Sequence, residues 1–301
     1  YLDLRIPLTA TPRSAGILDN PSDLPPLTTD MARLIRSAGS DNSILGIRAE
    51  LGGLGLGWAQ VQELRNSLLD YRESGKECKI WGEAFSNKEY YLASACNEVS
   101  MPPAGVFLVT GMSMTITYYA DLFTELDIQP NFAHVGDFKS AVEPYERTGP
   151  SDSASEATNA LLDSIYDEFI EGLAKGRALQ PKAMRAILDN PPITPEGALE
   201  LGLVDSLQYR DEFLLKDNED ISLRGWRAYL ETQNPLYEDS ENQIAVIYAE
   251  GAIMGGSSGS SMFGGKTIGD KSMHRYFQEA IDQDVKAVVL RISSPGGSGS
   301  A

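Results

Sequence analysis

The stretch Ile44-Leu-Gly-Ile-Arg-Ala-Glu-Leu51 is mostly apolar, and Gly52-Gly-Leu-Gly-Leu-Gly57 follows it directly. This pattern predicts a buried β-strand that ends in a glycine turn. Residues 58–74 then have the spacing of an amphipathic helix that stops at Gly75, and Cys78-Lys-Ile-Trp-Gly-Glu-Ala84 predicts the next strand. Strand, turn, helix and strand in this order are typical of a βαβ unit, so we predict an α/β fold with a largely parallel sheet.

The flanking sequence extends this alternation of strands and helices. The further predicted elements are a strand at 1–8, helices near 29–37, 90–95 and 154–175, a short strand at 131–135, and a helix followed by a short strand within 193–206. Ser151 or Ser153 could cap the long helix at 154–175, and Glu156 would strengthen that cap.

The pattern restarts after an acidic, polar connector at 234–242. A strand and turn at 244–254, a helix at 272–281 and a strand at 285–292 repeat the opening elements at an offset of roughly 240 residues. We therefore predict a tandem duplication, with one domain over residues 1–233 and a second, truncated copy over residues 234–301.

Composition and charge exclude several classes of function. The net charge of −18 leaves no basic face for phosphates, so nucleic-acid binding is not expected. No run approaches the roughly 18–20 apolar residues that a membrane-spanning helix needs. His134 and His274 stand far apart without an HExxH pattern, so neither a metal nor another cofactor is predicted. Cys78 and Cys96 are either two buried thiols or one disulfide.

One segment presents a lysine in a setting that could suit acid–base chemistry. It is Val135-Gly-Asp-Phe-Lys-Ser-Ala-Val-Glu-Pro-Tyr145, and Lys139 is the candidate residue. A lysine acts as a general base only when it is neutral, and burial among apolar side chains such as Phe138 favours that form. Asp137 or Glu143 would instead hold the amine protonated, so a surface lysine paired with Glu143 is the alternative.

A second segment could bind a developing oxyanion. In Arg291-Ile-Ser-Ser-Pro-Gly-Gly-Ser298 a strand runs into a glycine turn, where the N–H groups of Gly296 and Gly297 could face a substrate carbonyl. The alternative is a turn that only lets the chain leave the strand. The glycines of 52–57 lack the GK[ST] ending of a phosphate-binding loop, so a nucleotide site is not predicted there.

Four segments together carry a resemblance to a known family: Phe138-Lys-Ser-Ala-Val-Glu-Pro144, Ala198-Leu-Glu-Leu-Gly-Leu-Val-Asp205, Glu250-Gly-Ala-Ile-Met254 and Val288-Val-Leu-Arg-Ile-Ser-Ser-Pro-Gly-Gly297. Over nearly its whole length the chain resembles the signal peptide peptidase A (protease IV) family of serine peptidases, in its long duplicated form. The resemblance implies ClpP/crotonase-like domains built from ββα-type units. It also implies Lys139 as the general base of a Ser/Lys dyad and the Gly297 N–H as an oxyanion donor.

The same resemblance implies a nucleophilic serine beyond Ala301. At the matching place in the first copy, Phe85-Ser-Asn-Lys-Glu-Tyr-Tyr91, Asn87 replaces the serine and Ser86 is one residue out of register. The implied substrates are membrane-derived peptides such as released signal peptides. A homotetramer, a membrane anchor before Tyr1 and a periplasmic or thylakoid location are implied as well. Two alternatives remain, a non-catalytic scaffold of the same fold and an acyl-CoA-processing enzyme of the crotonase type.

Overall fold

The computed structural model describes residues 1–12, 24–214, 222–232, 242–260 and 265–301. They divide into two compact units, residues 1–8 with 31–228 and residues 9–30 with 229–301. The predicted domain boundary between residues 233 and 234 lies outside the described residues and stays a prediction, as does the tandem duplication.

Helices and strands mainly alternate over residues 2–108, and several helices then follow one another over residues 120–200 without an intervening strand. The helices are α1 (Thr28–Ser40), α2 (Trp58–Glu73), α3 (Asn87–Ala93), α4 (Ala120–Glu125), α5 (Glu143–Glu146), α6 (Asp152–Gly176), α7 (Pro181–Leu188), α8 (Pro195–Glu200), α9 (Arg210–Leu214), α10 (Trp226–Leu230) and α11 (Asp270–Asp282). The strands are β1 (Leu2–Leu4), β2 (Gly46–Leu51), β3 (Glu77–Gly82), β4 (Ala84–Ser86), β5 (Glu98–Met101), β6 (Val106–Leu108), β7 (Ser206–Leu207), β8 (Ile244–Glu250), β9 (Ala252–Met254), β10 (Gly259–Ser260), β11 (Lys266–Gly269) and β12 (Ala287–Ser293).

A parallel five-stranded sheet forms the centre of the first unit. Its strand order is β1-β2-β3-β5-β7, and every neighbouring pair is parallel. Strands β4 and β6 form a separate parallel pair. Along the chain, β3, β4 and α3 follow one another as strand, strand and helix. This order is the predicted ββα unit, and the predicted α/β class is confirmed.

The core of the first unit forms where α2 covers the sheet. Val61, Leu64, Leu68 and Tyr71 are buried along one face of α2, at the three- to four-residue spacing of an amphipathic helix. The middle strands β2, β3 and β5 become buried towards their C-terminal ends, although charged residues such as Arg48 and Lys79 interrupt their apolar sequence. Helix α2 begins at the predicted residue, Trp58, and ends at Glu73, one residue before the predicted end.

Over the described residues 242–260 and 265–301, the second unit contains two small sheets and the helix α11. Strands β8 and β12 pair in parallel over their full length, from Ile244 opposite Ala287 to Glu250 opposite Ser293. Strands β9, β10 and β11 form the other sheet, in the order β10-β11-β9. The predicted helix at 272–281 is confirmed as α11, which extends slightly beyond it at both ends.

The longest helix, α6, packs very closely on α3. A Cβ atom added at Gly172 would clash with the ring of Tyr91, and one added at Gly176 would clash with the carbonyl of Ser94. Both positions of α6 therefore require glycine, because only the absence of a side chain allows this approach of the two helices.

The two cysteines form a disulfide, which settles the choice that the sequence left open. Cys78 lies on β3 and Cys96 follows α3. Asn97 braces the same joint, since its N–H donates to the Cys78 carbonyl at 2.8 Å and its side chain accepts from the Cys78 N–H at 2.9 Å.

One predicted element is wrong. Residues 131–135 form no strand, and they lie exposed without pairing to any strand of the described chain. Val135 is 91% exposed, so the apolar alternation there does not mark a buried strand.

The helices of the described ranges include none that combines the length and the apolar character needed to cross a bilayer.

Candidate functional site

The segment that carries Lys139 is a loop and turn on the surface of the first unit. Gly136 has a positive φ of 98° and opens a turn in which the Lys139 N–H donates to the Gly136 carbonyl at 3.2 Å. Lys139 directly precedes the 3-10 turn Ser140–Val142. Its side chain is exposed, and within the described residues its amine forms no hydrogen bond or ion pair. The amine is therefore open to a partner from elsewhere.

Glu143 does not form the ion pair with Lys139 that the sequence allowed as an alternative. Its carboxylate accepts the Ser151 N–H at 2.9 Å and the Ser151 hydroxyl at 2.5 Å. These hydrogen bonds lower the pKa of Glu143 below its usual value. Ser151 in turn caps α6 by accepting the Ala154 N–H at 3.1 Å, which decides between the two predicted caps.

Stacked aromatic rings support the lysine segment from beneath. The Tyr145 ring centroid lies 6.1 Å from that of Tyr119, 6.2 Å from that of Phe123 and 5.7 Å from that of Phe132. Phe138, by contrast, is 61% exposed. The apolar lining expected around the amine is therefore not assembled by the described residues alone.

The second glycine turn leaves one N–H group directed away from the strand beside it. Ile253 of β9 donates its N–H to the Gly296 carbonyl at 3.0 Å, and Ser298 donates its N–H to the Ile253 carbonyl at 2.9 Å. Gly297 lies between these two bonds, so its own N–H faces the opposite side. Gly297 is an exposed residue, and its N–H has no acceptor within the described part of the chain.

Gly297 cannot be replaced without moving its neighbour. A Cβ atom at this position would clash with the backbone of Ile253, and Gly297 has a φ of 154°. Gly296 has a φ of 100°, which also favours glycine, but open space surrounds it.

The two predicted oxyanion glycines differ in what their N–H groups do. The Gly296 N–H donates to the Ser294 hydroxyl at 3.1 Å, and that hydroxyl donates to the Gly251 carbonyl at 2.6 Å. Gly296 and Ser294 thus shape the turn, and Gly297 is the glycine whose N–H could bind an oxyanion.

The first glycine turn, residues 52–57, is filled from within the protein. Its Leu54 N–H donates to Glu89 Oε1 at 2.7 Å, and the Ser86 hydroxyl donates to Glu89 Oε2. Lys88 donates from its amine to the Leu56 carbonyl at 2.7 Å. Glu89 is buried, so its carboxylate occupies the place that a bound anion would take.

The residue at the nucleophile position of the first copy has a structural role. Asn87 accepts the Thr110 N–H at 2.9 Å through its side-chain oxygen. The hydroxyl of Ser86 is bound to Glu89, as described above. Sequence reasoning missed Glu89, although Ser86-Asn-Lys-Glu89 has the S-x-x-E pattern of a helix capping box and marks the carboxylate.

Comparisons with known proteins agree on one family. The model of the family described as "Peptidase family S49" matches residues 70–224. This range includes Lys139 and ends before Gly297. Protease 4 of Salmonella typhi is 31% identical over 287 residues, which cover 90% of this chain and 46% of that protein. The chloroplastic serine protease SPPA of Arabidopsis thaliana is 26% identical over 274 residues, which cover 88% of this chain and 40% of that protein.

The chain therefore spans less than half the length of these two relatives. Among solved structures, a ClpP1 mutant from Listeria monocytogenes is similar to 62% of this chain and 86% of its own, with a TM-score of 0.39 and 10% sequence identity.

Proposed function

The chain belongs to peptidase family S49, and on that basis we propose that it forms part of a serine endopeptidase with a Ser/Lys dyad. Lys139 is the proposed general base, and the Gly297 N–H is the proposed oxyanion donor. We expect the nucleophilic serine beyond residue 301, as the family resemblance implies.

The proposed reaction is an acyl transfer in two steps. The serine oxygen attacks the peptide carbonyl while its proton passes to the neutral Lys139 amine. The Gly297 N–H stabilises the negative charge that develops on the carbonyl oxygen. The ammonium then returns the proton to the leaving amine, and water hydrolyses the acyl-enzyme by the same path.

The N–H of Gly297, for which the described residues supply no acceptor, carries this proposal. The first glycine turn binds its Leu54 N–H through Glu89, whereas no described residue competes with a substrate carbonyl for the Gly297 N–H. The engagement of Glu143 with Ser151 gives further support, because it removes one of the two predicted counter-ions of Lys139.

The proposed substrates are membrane-derived peptides, including released signal peptides. Such a peptide would bind extended beside the glycine turn, with main-chain hydrogen bonds and apolar side chains in pockets. A homotetramer held at a membrane by a separate anchor, on the periplasmic or thylakoid side, belongs to the same proposal.

The test is covalent labelling of the full-length protein with a serine-reactive fluorophosphonate. We expect wild type and the Lys182→Ala control to be labelled, because Lys182 is an exposed lysine on α7. Lys139→Ala and Lys139→Arg should both lose labelling, since arginine does not deprotonate. Full labelling of both Lys139 variants would overturn the dyad, and absence of labelling in intact wild type would favour the non-catalytic scaffold.

A further inference from the structure

A cavity of about 170 Å³ opens between α2 and α6, above α3. It lies in the first unit, and none of its lining residues belongs to the lysine segment or to either glycine turn. Its walls are mainly aromatic and its rim carries a carboxylate, with Trp58 and Gln62 from α2, Tyr91 from α3, and Ile165, Glu168 and Phe169 from α6.

Three rings form the wall and floor of the cavity. The Trp58 centroid lies 5.9 Å from that of Tyr91 and 5.8 Å from that of Phe169, both at edge-to-face angles of 69°. Tyr91 and Phe169 are buried, while Trp58 is half-buried and reaches the opening. Aromatic faces attract cations, and tryptophan attracts them most strongly.

This ring cluster already binds one cation of the protein itself. The Arg65 guanidinium carbon lies 4.7 Å from the Tyr91 ring centroid, and Arg65 is fixed by a 3.0 Å hydrogen bond to the Tyr91 carbonyl. Arg65 does not line the cavity, so the cavity side of the cluster is not occupied by this group.

The carboxylate at the rim keeps one oxygen available. Glu168 Oε1 accepts from the Tyr91 hydroxyl at 3.2 Å and from the Gln62 side chain. Burial raises the pKa of Tyr91 to about 12, so its hydroxyl remains a donor at neutral pH. Glu168 Oε2 has no hydrogen bond or ion pair among the described residues. A ligand cation would therefore meet an acceptor at the rim and the half-buried ring of Trp58 at the opening.

We propose that this cavity binds the cationic end of a lysine or arginine side chain from a bound peptide. The cavity is smaller than the roughly 300 Å³ at which sites for drug-sized ligands begin, so it suits a side chain better than a whole cofactor. Glu168 and the net charge of −18 disfavour an anion. Binding at this cavity does not depend on the proposed peptidase reaction, because a basic side chain can bind there without any bond being cleaved.

The proposal can be tested by calorimetric titration of the full-length protein. The probes are the N-acetyl methylamides of lysine and arginine, the neutral norleucine analogue of the same shape, and tetramethylammonium. We expect the two basic probes to bind at least ten-fold more tightly than norleucine. Tetramethylammonium should bind more weakly than lysine, because it lacks the aliphatic stem; equal binding would show a site for free small cations instead.

Matched variants locate the binding. Trp58→Ala should weaken lysine binding about ten-fold and Trp58→Phe only about three-fold, since the phenyl ring keeps a weaker cation–π contact. Glu168→Gln should weaken it about five-fold, whereas Glu171→Gln, an equal charge change at an exposed position of α6, should leave it unchanged.

Equal affinity for lysine and norleucine probes would overturn the proposal. So would equal losses from Glu168→Gln and Glu171→Gln, which would indicate a general charge effect. Both results are read from binding alone, so they are independent of whether the protein proves to be a peptidase.

Discussion

Two glycine turns follow parallel strands in this chain, and they use their N–H groups in opposite ways. In the turn at 52–57, the Leu54 N–H is bound by the buried carboxylate of Glu89. In the turn at 294–298, Gly297 is exposed and its N–H has no acceptor within the described residues. Among the described residues, the first turn thus has an internal acceptor for its N–H and the second has none, which makes the second the better functional candidate.

The largest effect on kcat should come from substituting one glycine of the second turn in the full-length protein, with a glycine of the first turn as the comparison. Gly297→Ala would force a methyl group into the Ile253 backbone and displace the proposed oxyanion donor. We expect a fall in kcat of about 100- to 1,000-fold, the usual loss of one such donor. Gly53→Ala should change kcat by less than about two-fold, because a Cβ there has open space.

Near-ultraviolet circular dichroism should accompany these kinetic measurements. A folded Gly297→Ala enzyme with normal kcat would contradict the functional contrast between the two turns.

The next effect concerns the group that fills the first turn. Glu89→Ala would leave the Leu54 N–H and the Ser86 hydroxyl without their acceptor, and we expect the free energy of unfolding to fall by about 2 kcal/mol. Urea denaturation measures this change, with the exposed Glu73→Ala, expected within about 0.5 kcal/mol of wild type, as control. Turnover should persist, and its loss in folded Glu89→Ala would mean that the first turn is catalytic.

A smaller change should follow from loosening the second turn without closing it. Ser294→Ala removes the hydroxyl that bonds both the Gly251 carbonyl and the Gly296 N–H. Two net hydrogen bonds of about 1 kcal/mol each support the turn, so we expect kcat to fall about ten-fold through misplacement of Gly297. Ser294→Thr keeps the hydroxyl and should restore most of the rate; equal losses in both variants would show that the hydroxyl is not responsible.

The smallest expected effect is a pH dependence near the lysine segment. Hydrogen bonds from Ser151 lower the pKa of Glu143, so they stabilise the folded state above the unfolded carboxyl value of about 4.3. This contribution is lost as the pH falls through the lowered folded pKa. Urea midpoints measured between pH 7 and pH 2 should therefore drop less for Glu143→Gln than for wild type; parallel curves would contradict the assigned role of Glu143.

Local patterns in the sequence predict the elements of this fold well. The start of α2 at Trp58 and its end before Gly75 could be predicted because helical periodicity and a terminating glycine are local signals. The false strand at 131–135 shows the limit of such signals, since its apolar residues alternate without a neighbouring strand to pair with.

The candidate site was only partly predictable for a related reason. Lys139 and the glycine turn stand out as motifs, but the roles of Gly296 and Gly297 depend on how Ile253 pairs with them from over forty residues away. The contact between Glu89 and Leu54 spans 35 positions, and neither local composition nor spacing specifies such a pairing.

The glycine contacts of α6 with α3 have a mechanical consequence for the lysine segment. Gly172 fixes the C-terminal part of α6, while Ser151, twenty-one positions earlier, is tied to Glu143. At 1.5 Å per residue the helix is a lever arm of about 30 Å. If α6 tilted by only about 5° about Gly172, the segment that carries Lys139 would move by about 3 Å, the length of one hydrogen bond.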